Sequence, residues 1–254
     1  EEYVEQVGRE LNAAFVLGGS LRRAGNRLRI NTQLMDARTD FPLWSERYDR
    51  ELKDIFEVQD EIARKIAEAL RITLTPQERE AIAAKPTENL QAYDLYLRGK
   101  SFARRLTRQD LEFALQMFEN AVSFDPGFAL AHAAIANVCA QYHYHYERES
   151  TWIQRAMAAS QRASALGKDA PEIQVAEAWI LYADRKYDDT IRLARAAIAH
   201  KADCEGAYYL LARALFAAGR YQDVADFADA AIAASGEDYN IYVPIINALG
   251  ALGK

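Results

Sequence analysis

GAYYLLARALFAAGRYQDVADFADAAIAAS, Gly206 to Ser235, places two alanine-rich apolar runs on either side of Gly219. Tyr208, Leu211, Ala212 and Leu215 recur at the spacing of one helical face, and Val224 and Ala231 mark the buried stripe of a second helix. Gly219 and Tyr221 fall in the turn between them, where a glycine can end the first helix. The stretch therefore predicts a helical hairpin, and the same spacing can be followed in both directions along the chain.

One repeat earlier the corresponding places hold Gln174, Ala178, Leu181, Tyr187 and Ala197, and one repeat later Tyr242, Leu249 and Gly253. Upstream, Gly99 and Phe102 take first-helix positions, and Ala114, Phe118, Ala121 and Pro126 those of a second helix. His132, Ile135, Ala136 and Cys139, then Ala156 and Ala163, form the next unit. This pattern resembles the 34-residue helix-turn-helix of tetratricopeptide repeats, W-x-x-L-G-x-x-Y, then A-x-x-x-F, then P. The resemblance implies about four and a half repeats over residues 90–254, ending in an unpaired first helix packed against 224–234. That last helix, and the start of the chain without methionine, predict a fragment of a longer array. Pro244 is compatible with the first turn of that helix.

Two repeats carry insertions. The first begins near Thr107, a predicted helix cap; the second, of eight residues, falls on or just after HYHYERES within QYHYHYERES, Gln141 to Ser150. His143 and His145 in that run, with Glu147 and Glu149, raise the question of a metal site. On a helix they diverge by about 200°, so one ion could take both only if the segment unwinds. The reading adopted is the end of a repeat helix running into a lengthened turn that closes the edge of the stack. A metal-binding or enzymatic unit centred on His143 and His145 is the alternative.

Residues 1–74 have a different habit. LRINTQLMD alternates Leu28, Ile30, Thr32 and Leu34 on one face, as a half-buried strand does. FVLGGSLRR precedes it, and Ala24, Gly25 and Asn26 read as a hairpin turn. Asp54 and Glu57 have the spacing of a capping box before a helix whose stripe is Ile55, Val58, Ile62, Ile66 and Leu70. Thr75 and Pro76 predict the start of a short helix, and KPTEN, Lys85 to Asn89, a linker.

FVLGGSLRR, LWSERYDRE and DIFEVQDEIA, within residues 3 to 74, resemble the C-terminal part of a TolB-like (FlgO/CadC-type) N-terminal domain, whose opening strand and first helix have no counterpart here. A TolB-like unit running through LQAYDLYLRG into tetratricopeptide repeats resembles the non-catalytic half of bacterial serine/threonine kinases, nucleotide cyclases and winged-helix regulators. The expected fold is thus a small α+β domain followed by an all-α superhelix, predominantly helical, divided as 1–74, 75–89 and 90–254.

Composition and motifs narrow the function. The chain has 254 residues, is half hydrophobic and carries a net charge of −6 spread without blocks, which argues against nucleic acid as a partner. Arg22, Arg23, Arg27 and Arg29 cluster about one hairpin but read as a solvated face. Trp44 and Tyr48 read as core anchors, with Glu46, Arg47, Asp49 and Arg50 at the surface. Cys139 and Cys204 fit neither a disulfide framework nor a C-x-x-C site and read as buried thiols. No apolar run reaches the length of a membrane span, and EEYVEQ is not the basic start of a signal peptide. Neither absence fixes the compartment, which stays open between the cytoplasm, slightly favoured, and the outer part of a membrane-anchored sensor. No phosphate loop, dinucleotide fingerprint, H-E-x-x-H, G-x-S-x-G or kinase motif occurs. Neither catalytic residues, a metal nor a cofactor is expected.

The expected function is binding of a protein or peptide, with acidic groups favoured and homo-oligomerisation left open. In such superhelices the first helices line the concave face. The repeat register places Tyr93, Tyr96, Lys100, Arg104, Asn137, Gln141, Trp179, Tyr182, Tyr209, Arg213, Phe216 and Asn247 there. Aromatic anchors with cations and amides suit an extended peptide bearing carboxylates. Of the carboxylate-clamp pattern of chaperone-binding relatives, only Lys100 and Asn137 are met. Trp179, Tyr182 and Tyr209 are expected to form the apolar centre of the groove, or to pack between repeats.

Overall fold

The computed structural model describes residues 13–72, 75, 85–167, 170–235 and 238–254. The chain divides into two units, Glu1–Lys85 and Pro86–Lys254.

In the first unit three antiparallel strands, β1 (Phe15–Ala24), β2 (Arg27–Asp36) and β3 (Phe41–Glu51), lie in sequence order. Gly25, at φ +59, and Asn26 make the two-residue connection between β1 and β2, where a side chain would be strained. The helix α1 (Ile55–Ala69) packs on the predicted face of β2. Leu28, Ile30, Tyr48 and Val58 form the small core, with Trp44, Ile55 and Ile62 against it.

Two expectations change. Asp54 precedes α1, but its side chain makes no capping hydrogen bond, because residues Leu52–Asp54 already turn as a 3-10 helix that leads into α1. Glu46 is not a surface charge. It lies on the same strand face as Trp44 and Tyr48, and its Oε2 accepts the Trp44 indole N–H at 3.3 Å and the Tyr48 hydroxyl at 3.1 Å. Burial and then this carboxylate push the Tyr48 phenol up to about 12. Arg27 and Arg29 share Asp49 at 2.7 and 3.0 Å. The helix expected from Pro76 lies outside the described residues.

The second unit is a solenoid of helical hairpins: α2 (Leu90–Ala103) with α3 (Arg108–Phe124), α4 (Ala129–His145) with α5 (Ser150–Leu166), α6 (Pro171–Ala183) with α7 (Tyr187–His200), and α8 (Ala207–Ala217) with α9 (Tyr221–Ser235). α10 (Tyr242–Ala251) packs on α8 and α9. Asn89 caps α2 by accepting from the N–H groups of Gln91 and Ala92, and Thr107 caps α3 by accepting from Asp110.

The repeat is visible in the backbone. Arg185, Gly219 and Gly253 recur every 34 residues, all in the left-handed region with φ of +61, +74 and +70. After each, the next N–H donates back to a leucine carbonyl: Lys186 to Leu181, Arg220 to Leu215 and Lys254 to Leu249. This pairing absorbs an otherwise unsatisfied carbonyl at each helix end. The seam between paired helices is made of small residues. Ala114, Ala156, Thr190 and Val224, and likewise Ala121, Ala163, Ala197 and Ala231, are fully buried. Gly99 stands where the following hairpins have Ala136, Ala178 and Ala212, since a Cβ there would meet the Phe118 ring at 2.5 Å.

α10 differs from the earlier first helices. Ile245 and Ala248 are buried, but Ile246, which occupies the place of Ala212, is 63% exposed, and Tyr242, in the place of Tyr208, is also exposed. In the complete hairpins a second helix covers that side. QYHYHYERES does extend α4 to His145 before a short turn at residues 146–149. It is not confined to the edge of the stack, because Gln141 and Tyr142 are buried and Tyr144 packs against the main core.

Candidate functional site

On the inner side of the helical unit lies a cavity of about 110 Å³. Tyr96 and Lys100 from α2, Asn137 and Gln141 from α4, Trp179 from α6 and Tyr209 from α8 line it, all six named by the repeat register. Glu172, Glu205, Asp238 and Asn240 line it as well, and the register names none of them. They sit at helix starts and in loops, outside the positions that helical spacing assigns to the inner wall.

Glu205 closes one side of the cavity. Its Oε2 meets Lys100 Nζ at 2.5 Å and its Oε1 meets Arg104 Nε at 2.6 Å. Burial pushes this carboxyl up, but the two cations outweigh it and hold it below the ordinary glutamate range. Asn240 adds a second tie, donating to the Arg104 carbonyl at 2.8 Å. Glu172 is engaged by Lys201 at 2.9 Å. The Gln141 amide donates to Asn137 Oδ1.

The aromatic residues of the predicted wall have a different status. Trp179 is 1% exposed, and Tyr96, Tyr182 and Tyr209 are buried in the main core, so their rings support the stack. Tyr93 and Phe216 pack partly against the same core, with Phe216 5.2 Å from the Tyr221 ring. Asn247 is exposed on α10. Tyr182, Arg213, Phe216, Tyr93 and Asn247 do not line the cavity.

Arg213 belongs to a second cluster. Its guanidinium lies 5.1, 5.5 and 5.4 Å from the ring centres of Tyr144, Tyr182 and Tyr209. Its Nε donates to the Tyr182 hydroxyl at 3.3 Å and its Nη1 to the Tyr209 hydroxyl at 2.8 Å. Tyr182 in turn donates to Tyr144 at 3.4 Å. Burial pushes the Tyr144 phenol up, but the Tyr182 hydrogen bond and the charge of Arg213 together bring it below the usual tyrosine value.

His145 stands beside this cluster, 6.3 Å from the Trp179 ring centre. Burial first, and the Arg213 charge second, push its imidazole down to about 4, so it is neutral at pH 7. His143 turns elsewhere and its Nδ1 meets the Glu149 carbonyl at 3.0 Å. Glu147 is taken by Arg108 and by the Trp152 indole N–H at 3.1 Å. Among the described residues no three His, Cys, Asp or Glu side chains gather at one point as a metal site would need. Nor is any described helix long and apolar enough to cross a membrane.

Searching protein-family models with the sequence gives no match. Among curated proteins the chain is similar to one from Rhizobium meliloti (strain 1021) named "Putative adenylate cyclase 3", with 43% identity over 133 residues. That stretch is 52% of this chain and 23% of the relative, so the chain matches less than a quarter of that protein's length. The similarity supports a signalling-protein context for the matched stretch.

Proposed function

We propose that the chain is a non-catalytic interaction and regulatory segment of a bacterial signalling protein. In this reading a partial TolB-like unit, residues 1–74, joins through residues 75–89 to tetratricopeptide repeats, residues 90–254, whose inner face receives a protein or peptide partner. The observation that carries it is the recurrence of one backbone turn at Arg185, Gly219 and Gly253, at the period of that repeat family. The cavity, walled by Lys100, Asn137, Gln141, Trp179 and Tyr209, supplies a concave surface of mixed apolar and polar character. The relative's name supports a nucleotide cyclase as the catalytic part of the parent protein, carried outside these residues.

The test has two parts. The purified chain, supplied with ATP and a divalent cation, forms no cyclic nucleotide. A partner isolated from the source cell on wild-type protein is then titrated against Lys100→Glu and Asn137→Ala. A loss of about tenfold in affinity for Lys100→Glu, with the helical signal intact, supports the inner face. Equal affinity for both variants places the partner on another surface.

A further inference from the structure

The basic residues of the inner face differ in how their charge is met. Lys100 and Arg104 already hold the Glu205 carboxylate, as an external acid would have to be held. Arg213 is half-buried, and among the described residues it makes no ion pair. Its hydrogen bonds go only to neutral phenols, to Tyr182 and Tyr209 through Nε and Nη1 and also to Tyr144.

The surrounding hydroxyls leave donors over. Tyr182 spends its proton on Tyr144, whose own proton has no acceptor among the described residues. Tyr209 accepts from Arg213, and its hydroxyl proton is likewise unspent. A hydroxyl is both donor and acceptor while guanidinium only donates, so the cluster holds more protons than acceptors. His145 does not supply a second charge, because it is neutral. Arg148, which also acts electrostatically on Tyr144, makes no ion pair among the described residues. Asp238 acts on Tyr209 through space, but it makes no ion pair with Arg213, and its Oδ1 accepts from Asn240.

We infer that Arg213, with the hydroxyls of Tyr144 and Tyr209, is an oxyanion-binding site that takes a single carboxylate. Arg213 is the one fixed charge that hydrogen-bonds within the cluster, with Arg148 acting on Tyr144 through space. A single hydrogen-bonding cation with neutral donors around it matches a carboxylate better than a phosphate dianion. Arg213 and Tyr144 are both partly exposed and Tyr209 is buried behind them, so a ligand meets the site from the Arg213 and Tyr144 side. The inference deepens the reading of the inner face and rests on it for one point, that the carboxylate is carried by the partner peptide. It also gives the stretch around HYHYERES a role, since Tyr144 comes from it.

The experiment uses the full chain at constant ionic strength and follows tyrosine difference absorbance and Tm. The probes are sodium acetate, inorganic phosphate, and acetyl-alanyl-alanine as free acid and as amide. Acetate and the free acid are expected to bind with Kd of roughly 1 mM or weaker, and the amide about tenfold more weakly than the acid. Arg213→Gln abolishes the response. Tyr144→Phe, which removes one hydroxyl and keeps the packing, reduces it several-fold, so the result does not depend on a folded Arg213 variant. No response to any carboxylate, or an unchanged response in Tyr144→Phe and Arg213→Gln, overturns the site. Phosphate binding tighter than acetate overturns the carboxylate assignment. Acetate binding that is lost in Arg213→Gln, while the cellular partner keeps its affinity for that variant, upholds the site and overturns its use by the partner.

Discussion

Arg104 and Glu205 lie 101 residues apart in sequence and meet at 2.6 Å, joining the end of the first repeat helix to the loop before α8. The solenoid therefore curves far enough within four hairpins for its first and fourth units to touch. Glu205 occupies the cations that the repeat register would offer to an acidic ligand.

Replacing Glu205 with Gln should separate these roles. Its folded-state pKa is depressed below the ordinary 4.5, so its stabilisation is present above that pH and is lost as pH falls through the folded value. With both partners partly exposed, the loss at pH 7 should be about 1 kcal/mol, read from urea unfolding, and should vanish in acid. If a partner's carboxylate competes with Glu205, the same variant should bind that partner more tightly.

His145 should give a second pH dependence of its own. Its imidazole falls from 6.5 in the unfolded chain to about 4 in the fold. The unfolded state thus binds more protons between these values, and stability is full above 6.5 and declines as pH falls toward 4. Discounted for partial exposure, the decline should be on the order of 1–2 kcal/mol. His145→Gln should flatten the profile between pH 6.5 and 4.

Gly99 should resist substitution by alanine although alanine fills the equivalent place in three other hairpins. A Cβ there falls 2.5 Å from the Phe118 ring. Overpacking of this kind commonly costs about 1–3 kcal/mol, and Phe118→Leu in the same chain should restore part of it. Equal Tm for wild type and Gly99→Ala would show that the ring moves freely.

Trp179→Ala should unfold or strongly destabilise the chain. At 1% exposure Trp179 packs among Tyr182, Tyr209 and His145, and truncation of such a residue costs about 3–5 kcal/mol. Ala212→Arg should be at least as damaging, because Ala212 is fully buried. Binding data from Trp179→Ala would report stability first. Tyr144→Phe and Arg213→Gln are better probes of the inner face.

Cys139 and Cys204 should be inert in the native protein. Burial pushes both thiols up to about 12, leaving almost no thiolate at pH 7. Reaction with a disulfide reagent should follow global unfolding; fast labelling of either thiol at neutral pH would show local opening of the core.

Much of the local order of this chain follows from sequence alone. Alternation at Leu28, Ile30, Thr32 and Leu34 sets which face of β2 is buried, and Thr107 caps a helix as its residue type predicts, whereas the capping by Asn89 and the failure of Asp54 to cap emerge only in the structure. The recurrence of Ala178, Leu181 and Ala197 with Ala212, Leu215 and Ala231 determines the helical hairpins, since small and apolar residues at these steps leave only one close-packed pairing. What closes the inner face was not legible. Glu205, Asp238 and Asn240 come from segments with no helical period, and they reach Lys100, Arg104 and the cavity only through the accumulated curvature of the stack. Tertiary packing also decided the fate of Tyr182, which shares the spacing of groove residues but does not line the cavity, and of Trp179, which lines it from within the core. A helix with apolar residues on most of its surface, as in α6, has its exposed side chosen by its neighbours, because periodicity alone does not fix which side meets solvent.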